Sequence, residues 1–261
     1  MKDQASWKMP LDEFYVYSPE LDNYAELLLT ENCLEDRGYD LPVPWQNTDY
    51  PQPEDFNAIG FRLFNLDLAK KWGYGFAPAA DEESARLWQE FITETDPYFK
   101  DAEYQAVFDE CTDEIRVDDP DFQQNFDGES YLAGLALQAD GVVLQDAAVV
   151  EATARWRECL APQVDFALPD DPRTGMPPAE SERVWKSEGG EASAAEIRDA
   201  IADAECRESS GLTAVAYERN WEEQQKLVDE NRDKLDRIRS EAVERKAKLL
   251  TIVAENAPAA P

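Results

Sequence analysis

Apolar residues recur along this chain at intervals of three and four, the period of an amphipathic helix, and strand-like alternation is hard to find anywhere. Ser18-Pro19 has the form of an N-cap followed by proline at the first helical position, and Gly38 stands where a glycine would end that helix. Between them Leu21, Tyr24, Ala25 and Leu28 share a face. Asp81 predicts the cap of a second helix that turns Ala85, Trp88, Phe91 and Ile92 inward. Asp101 predicts the cap of a third, whose stripe of Tyr104, Val107, Phe108, Cys111 and Ile115 is the cleanest in the chain. A helix from about Asp146 to Ala161 carries Val149, Ala152, Thr153, Trp156 and Leu160, and Pro162 stops it. Ser193-Ala194-Ala195-Glu196 then has the form of a capping box, opening a helix that buries Ile197, Ala200, Ile201 and Ala204 near Cys206.

The last pattern is the longest. From Leu212 to about Ala254 no breaker interrupts it, and Tyr217, Trp221, Gln224, Val228, Asn231, Leu235, Ile238, Ala242, Arg245, Leu249 and Ile252 alternate by four and three. That is a heptad seam, with Gln224, Asn231 and Arg245 placing polar groups in it. An unbroken helix of this span would extend roughly 60 Å. Either it packs along its own body or it offers a docking face for a partner, built from Tyr217, Trp221, Val228, Leu235 and Ile238.

The pattern therefore predicts an all-α fold, a disulfide-stapled helical body with a long coiled-coil-like C-terminal helix. A short hairpin in a loop is the one β element it leaves room for. Three stretches interrupt the helices. Residues 40–56 hold four prolines among Trp45, Tyr50 and Phe56, residues 116–128 are rich in Asp and Gln, and residues 169–192 mix Pro, Gly and Glu as a linker would. Ala257–Pro261 reads as a frayed tail. The expected organisation is an aromatic-rich unit at 1–139 and a second unit at 140–261, packed as one body.

The four cysteines fall into two similar units. Cys33-Leu34 leads on to Tyr39-Asp40-Leu41-Pro42, and Cys159-Leu160 leads on to Phe166-Ala167-Leu168-Pro169; each is followed by an acidic approach to a further cysteine, Cys111 or Cys206. The repetition suggests the disulfides Cys33–Cys111 and Cys159–Cys206 among three possible connectivities. Disulfides persist outside the reducing cytosol, so an extracytoplasmic location is expected.

Charge narrows the partners. Asp and Glu number 57 against 25 Lys and Arg, a formal net charge of −32, which disfavours nucleic acid and anionic lipid surfaces. Nine basic and ten acidic residues lie within 211–256, so the acidity belongs to the body and the long helix is charge-balanced, with i,i+4 pairs such as Glu230–Lys234 and Asp233–Arg237. No stretch approaches the roughly 20 apolar residues that span a bilayer. Met1-Lys2-Asp3-Gln4 shows no charged and then apolar leader, and is expected to follow removal of an export signal and of any lipid-modified cysteine.

With no histidine, Ser-His-Asp and Cys-His catalysis and the commonest zinc sites are excluded. No Walker-type or Gly-x-Gly-x-x-Gly phosphate cradle is present, and paired cysteines leave no thiolate nucleophile. No catalytic residue, metal site or cofactor is assigned. The acidic run from Asp118-Asp119-Pro120-Asp121 to Asp127-Gly128-Glu129 offers oxygen ligands but lacks EF-hand spacing, so a solvated loop is the expectation. Aromatics are more suggestive: Trp45, Tyr50, Trp72, Tyr74 and Phe76 sit in loops or alternate with glycine. They either platform a sugar, peptide or cationic group or fold down as a lid on the core.

These units resemble a group of secreted proteins and lipoproteins of high-GC actinobacteria with no established function. The resemblance rests on Pro10-Leu11-Asp12-Glu13-Phe14, Cys33 to Gly38-Tyr39-Asp40, Cys111, Trp156-Arg157-Glu158-Cys159-Leu160 and Ala202-Asp203-Ala204-Glu205-Cys206-Arg207 before a long helix. Leu34 and Leu160 stand where that group usually has methionine, and the glycine expected after Cys159 is absent. The resemblance implies an exported, membrane-tethered location and brings no catalytic residues. The reading that follows is a non-catalytic extracytoplasmic surface protein, lipid-anchored in its native form, that binds an envelope protein or cell-wall ligand. The alternatives are a ligand-capture lipoprotein using the loop aromatics and a carboxylate-only hydrolase, which needs two acids roughly 5 to 10 Å apart in a cleft.

Overall fold

Helix starts in this chain are set by side-chain oxygens that satisfy the otherwise unpaired N–H groups of a first turn. Asp81 accepts from Ser84 N at 2.9 Å, Asp101 from Glu103 N at 2.8 Å, Asp146 from Ala148 N at 2.9 Å, and Ser193 from Glu196 N at 3.2 Å. A computed structural model describes residues 2–48, 64–75, 81–124, 126–185 and 192–261. Their α-helices are α1 (Pro19–Asp36), α2 (Leu66–Trp72), α3 (Glu82–Thr95), α4 (Ala102–Asp118), α5 (Asp121–Gln124), α6 (Phe126–Val143), α7 (Ala147–Leu160), α8 (Pro172–Gly175), α9 (Ser181–Trp185), α10 (Ala194–Ser209), α11 (Leu212–Glu230) and α12 (Arg232–Asn256). Short 3-10 turns precede α1 at Pro10–Phe14 and α4 at Tyr98–Lys100. The described residues form no strand; one isolated bridge joins Asp3 and Lys8. The fold is all-α and stapled by two disulfides, Cys33–Cys111 and Cys159–Cys206, with no free cysteine.

The chain divides into two compact units built from discontinuous segments. The first takes Met1–Asp12, Gln52–Pro78 and Gly134–Glu230, and the second takes Glu13–Pro51, Ala79–Ala133 and Asn231–Pro261. The boundary expected after residue 139 lies within α6, and the units divide in the same helix, between Ala133 and Gly134. Sequence order misleads here because helices pair by apolar face rather than by succession. Each unit nevertheless holds one of the disulfides.

In the second unit α1 is the central element. It ends as the glycine predicts: Gly38 adopts φ +84°, its N–H bonds Glu35 O at 2.9 Å, and Tyr39 N bonds Leu34 O at 2.9 Å, the paired closure of a Schellman motif. Leu21, Tyr24, Ala25, Leu28 and Leu34 pack with Tyr104 and Cys111 of α4 and with Leu249 and Val253 of α12. The α3 stripe differs from expectation. Ser84, Phe91 and Thr95 are buried, whereas Ala85 is exposed and Ile92 is 46 % exposed. Each of the two lies one residue, about 100° of helix rotation, from the buried stripe. Ser84 is drawn inward by hydrogen bonds to the proline-rich segment, its Oγ accepting from Asn47 N at 2.9 Å and its carbonyl from Gln46 Nε2 at 3.2 Å.

That segment is pinned rather than loose over residues 40–48. Tyr24 OH donates to Pro44 O at 3.0 Å and accepts from Gln46 N at 3.2 Å, Tyr104 OH donates to Asp40 O at 3.1 Å, and Val43 N donates to Glu31 at 3.1 Å. Burial pushes the Glu31 carboxyl up to about 7, helped by the charges of Glu35 and Asp40 and opposed by the Val43 N–H.

In the first unit the N-terminal residues lie along α11. Tyr217 OH donates to Lys8 O at 2.8 Å and accepts from Asp3 N at 2.9 Å, and its ring meets Trp7 edge-on with centroids 5.1 Å apart. Gln224 accepts from Leu11 N at 3.3 Å and donates to Asn220, which donates to Asp140 at 2.6 Å. Trp156, Leu160, Ala200, Cys206 and Leu212 form the apolar core.

The C-terminal helix is not continuous. Asn231 takes φ −118° and ψ 13°, and helix resumes at Arg232. Its side-chain oxygen accepts from Tyr131 OH at 2.6 Å, and Lys234 Nζ lies 3.3 Å from the Tyr131 ring centre. Asparagine leaves helical geometry at little cost, and Tyr131 rewards the departure.

Replacing either cysteine pair by alanine is expected to lower stability by about 2–4 kcal/mol, since loops of 78 and 47 residues are released in the unfolded chain. Urea denaturation with an unchanged midpoint would contradict this. A second expectation concerns pH. A carboxyl raised from 4.5 to about 7 on folding holds its proton better in the folded state. Its stabilising contribution is therefore complete below about pH 4.5 and lost as pH rises through about 7. Melting temperature should fall over that window, and Glu31→Gln should flatten the fall.

Candidate functional site

The sequence-selected aromatics do not assemble into one described site. Tyr50 and Phe76 lie outside the described residues. Trp45 is half-buried in the second unit, while Trp72 and Tyr74 belong to the first. Tyr74 is only 6 % exposed and serves the core, not a platform. The docking seam is likewise turned inward: Tyr217, Val228 and Leu235 are at most 1 % exposed, and Trp221 and Ile238 are half-buried. A seam of apolar residues on a chain with its own apolar surface is satisfied intramolecularly.

What pulls Tyr74 inward is a polar stripe on α10 that periodicity alone concealed. Glu196, Asp199, Asp203 and Arg207 follow one another by three and four residues and are all buried. Asp203 accepts from Trp156 Nε1 at 2.7 Å, from Arg207 Nε at 2.8 Å and from Tyr74 OH at 3.2 Å. Asp199 accepts from Trp185 Nε1 at 2.8 Å, and Glu196 from Tyr74 N at 3.1 Å. The rings of Phe64, Tyr74 and Trp185 stack in succession at 5.5 and 5.1 Å. Gly73, at φ +61°, lets the chain pass: a Cβ there would stand 2.9 Å from Ala192 Cβ and 3.0 Å from Glu196 Oε1. Burial, followed by the Asp203 charge, raises the Tyr74 hydroxyl far above its ordinary range. Both Asp203 oxygens are occupied, so this cluster is a structural lock, not an open acid.

Open space occurs instead in the second unit. A cleft of about 490 Å³ is lined by Phe14–Tyr17 from the end of the first 3-10 turn onward, by Asp121, Gly128, Glu129 and Leu132, and by one face of α12. Ile238, Glu241, Ala242, Arg245 and Lys248 supply that face at helical spacing. Arg245 fixes the wall. It is 6 % exposed and donates to Asp22 at 2.8 and 3.0 Å and to Asp119 at 2.9 Å, with its guanidinium 4.2 Å from the Phe122 ring centre. Hydrogen bonds from Lys248 and Arg245 hold Asp119 below its usual range against the opposing effect of burial. Asp119 was legible in the sequence as part of an acidic run; in the structure it is committed to these two cations. Glu129 is raised, first by burial and then by the charges of Asp22 and Glu20. The signal that marked this wall was Arg245 itself, the one charged residue of the heptad seam.

Among the described residues no three acidic or cysteine side chains form a metal-ligand group, and no single helix is long and apolar enough to cross a membrane. The two disulfides are compatible with an extracytoplasmic location. No protein-family model, curated protein or solved structure matches the chain.

Arg245→Leu would leave Asp22 and Asp119 without their shared donor, and is expected to cost about 3 kcal/mol or more in urea denaturation. A loss below about 1 kcal/mol would show that the network does not hold α12 in place.

Proposed function

We propose that this chain is an exported, non-catalytic ligand-capture protein of the cell envelope, lipid-anchored in its native form, with the cleft of the second unit as its binding site. The observation that carries this reading is the cleft itself. Its volume of about 490 Å³ lies in the range of small-molecule sites, and a buried ionic network fixes one wall. Export is supported by the two disulfides and by the likeness to actinobacterial secreted proteins and lipoproteins. Capture through the loop aromatics is less well supported, because Tyr74 is sealed in the core.

A second reading, an envelope protein as partner, is favoured by a different observation. Leu137 and Val142 of α6, Leu144 just after it and Val150 of α7 are 62 %, 47 %, 40 % and 54 % exposed. Large apolar side chains left exposed on a strongly acidic protein are candidates for cover by a partner.

A ligand-observed NMR screen of small fragments, run on the native chain and on Ala242→Trp, tests the first reading. Fragments that bind the native chain and are lost from the variant support the cleft, since the indole fills a lining position. Hits that are indifferent to the substitution would remove the cleft from consideration. Retention of an envelope protein that disappears with Leu137→Ser/Val150→Ser would favour the second reading instead.

A further inference from the structure

The charges around the cleft select the kind of molecule that fits it. Among the described residues six charged side chains line the space: Asp121, Glu129, Glu241, Glu244, Arg245 and Lys248. Both bases are neutralised by carboxylates that do not line it. Arg245 donates to Asp22 and Asp119, and Lys248 Nζ stands 2.7 Å from Asp119. Asp121 makes a longer contact of 3.9 Å with Arg245. Glu129, Glu241 and Glu244 have no hydrogen bond or ion pair among the described residues. Unneutralised charge at the cleft is therefore negative. Among the described lining residues an anionic ligand would meet three unpaired carboxylates and no unpaired base, although Lys246 stands nearby with its Nζ on Val16 O.

The remaining lining describes the ligand's body. Phe14, Val16, Leu132, Ile238 and Ala242 are apolar, and Tyr15, 41 % exposed, adds aromatic surface of the kind that attracts cations. A bare metal ion needs oxygen ligands converging at about 2.0–2.6 Å, which a cleft of this size and mixed lining does not provide. A neutral sugar would leave the carboxylates without a counter-charge.

We infer that the cleft binds an organic cation, an amine or guanidinium group carried on an apolar body, with Glu129 as the carboxylate that receives the charged end. This rests on the reading of the cleft as the binding site. Glu129 is suited to the part because it is half-buried, so an ion pair there is less screened than one at the exposed Glu241 or Glu244.

The test is isothermal titration calorimetry of the full chain with three probes of equal length: 1,6-diaminohexane, 1,6-hexanediol and adipate. The diamine is expected to bind one-to-one, with the diol and diacid at least tenfold weaker. Glu129→Gln should weaken the diamine at least tenfold, and Glu244→Gln by a smaller factor. Glu205→Gln, which removes an equal charge from an exposed position on α10, should change nothing. Equal weakening by Glu129→Gln and Glu205→Gln, or binding at many sites, would identify diffuse attraction to an acidic surface and overturn the proposal. Diol or diacid binding that Ala242→Trp abolishes would keep the cleft as the site while overturning its cation preference. If no probe binds and the fragment screen also finds no hit sensitive to Ala242→Trp, both readings fall together.

Discussion

A carboxylate enters a protein interior only where donors meet it, and in this chain that constraint governs which helix faces turn inward. Acids outnumber bases by more than two to one, so most carboxylates must stay in water. The buried Asp140, Glu196, Asp199 and Asp203 each meet a donor, and two arginines anchor Asp203 and the half-buried Asp22 and Asp119. Arg207 and the indole and phenol donors around it hold Asp203 in the first unit, and Arg245 holds Asp22 and Asp119 in the second. Each arginine also lies over aromatic rings, Phe64 and Trp156 in one case and Phe122 in the other. The guanidinium suits this role because it stays charged, forks toward carboxylates and tolerates an aromatic neighbour. Apolar packing supplies the bulk of the burial, but these clusters decide the register, since a one-residue rotation would bury a carboxylate without its partner.

The same logic explains the polar positions of the C-terminal seam. Gln224 is tied to Leu11 N and Asn220, Asn231 accepts from Tyr131, and Arg245 serves two aspartates. In a self-associating coiled coil such residues would set register between chains. Here each finds its partner within its own chain. Asn231 does more, because at that position the helix stops and restarts, so α11 belongs to the first unit and α12 to the second.

The cleft follows from this arrangement. Side chains recurring every three or four residues place Ile238, Glu241, Ala242, Arg245 and Lys248 on one face of α12, and the Arg245 network holds that face. Because Asp22 and Asp119 satisfy the two bases away from the space, its remaining charge is negative. A site of that sign is as much a consequence of where the aspartates sit as of the glutamates that line it.

Much of the architecture was legible in the sequence because it depends on neighbours. Caps at Asp81, Asp101, Asp146 and Ser193, the closing glycine at residue 38 and the helical period all act within a turn or two of chain, and the repeated cysteine units pointed to the observed disulfides. What the sequence left open depends on residues far apart. Whether Ile92 or Ser84 faces the core is decided by hydrogen bonds to residues 46 and 47. Whether Tyr74 is a platform or a core residue is decided by Asp203, 129 positions away. Asp199 and Asp203 of α10 are buried because Trp156, Trp185 and Tyr74 are brought to them. Local chemistry fixes where helices begin and end; only tertiary packing chooses which of their faces are buried, and with them where a cleft is left open.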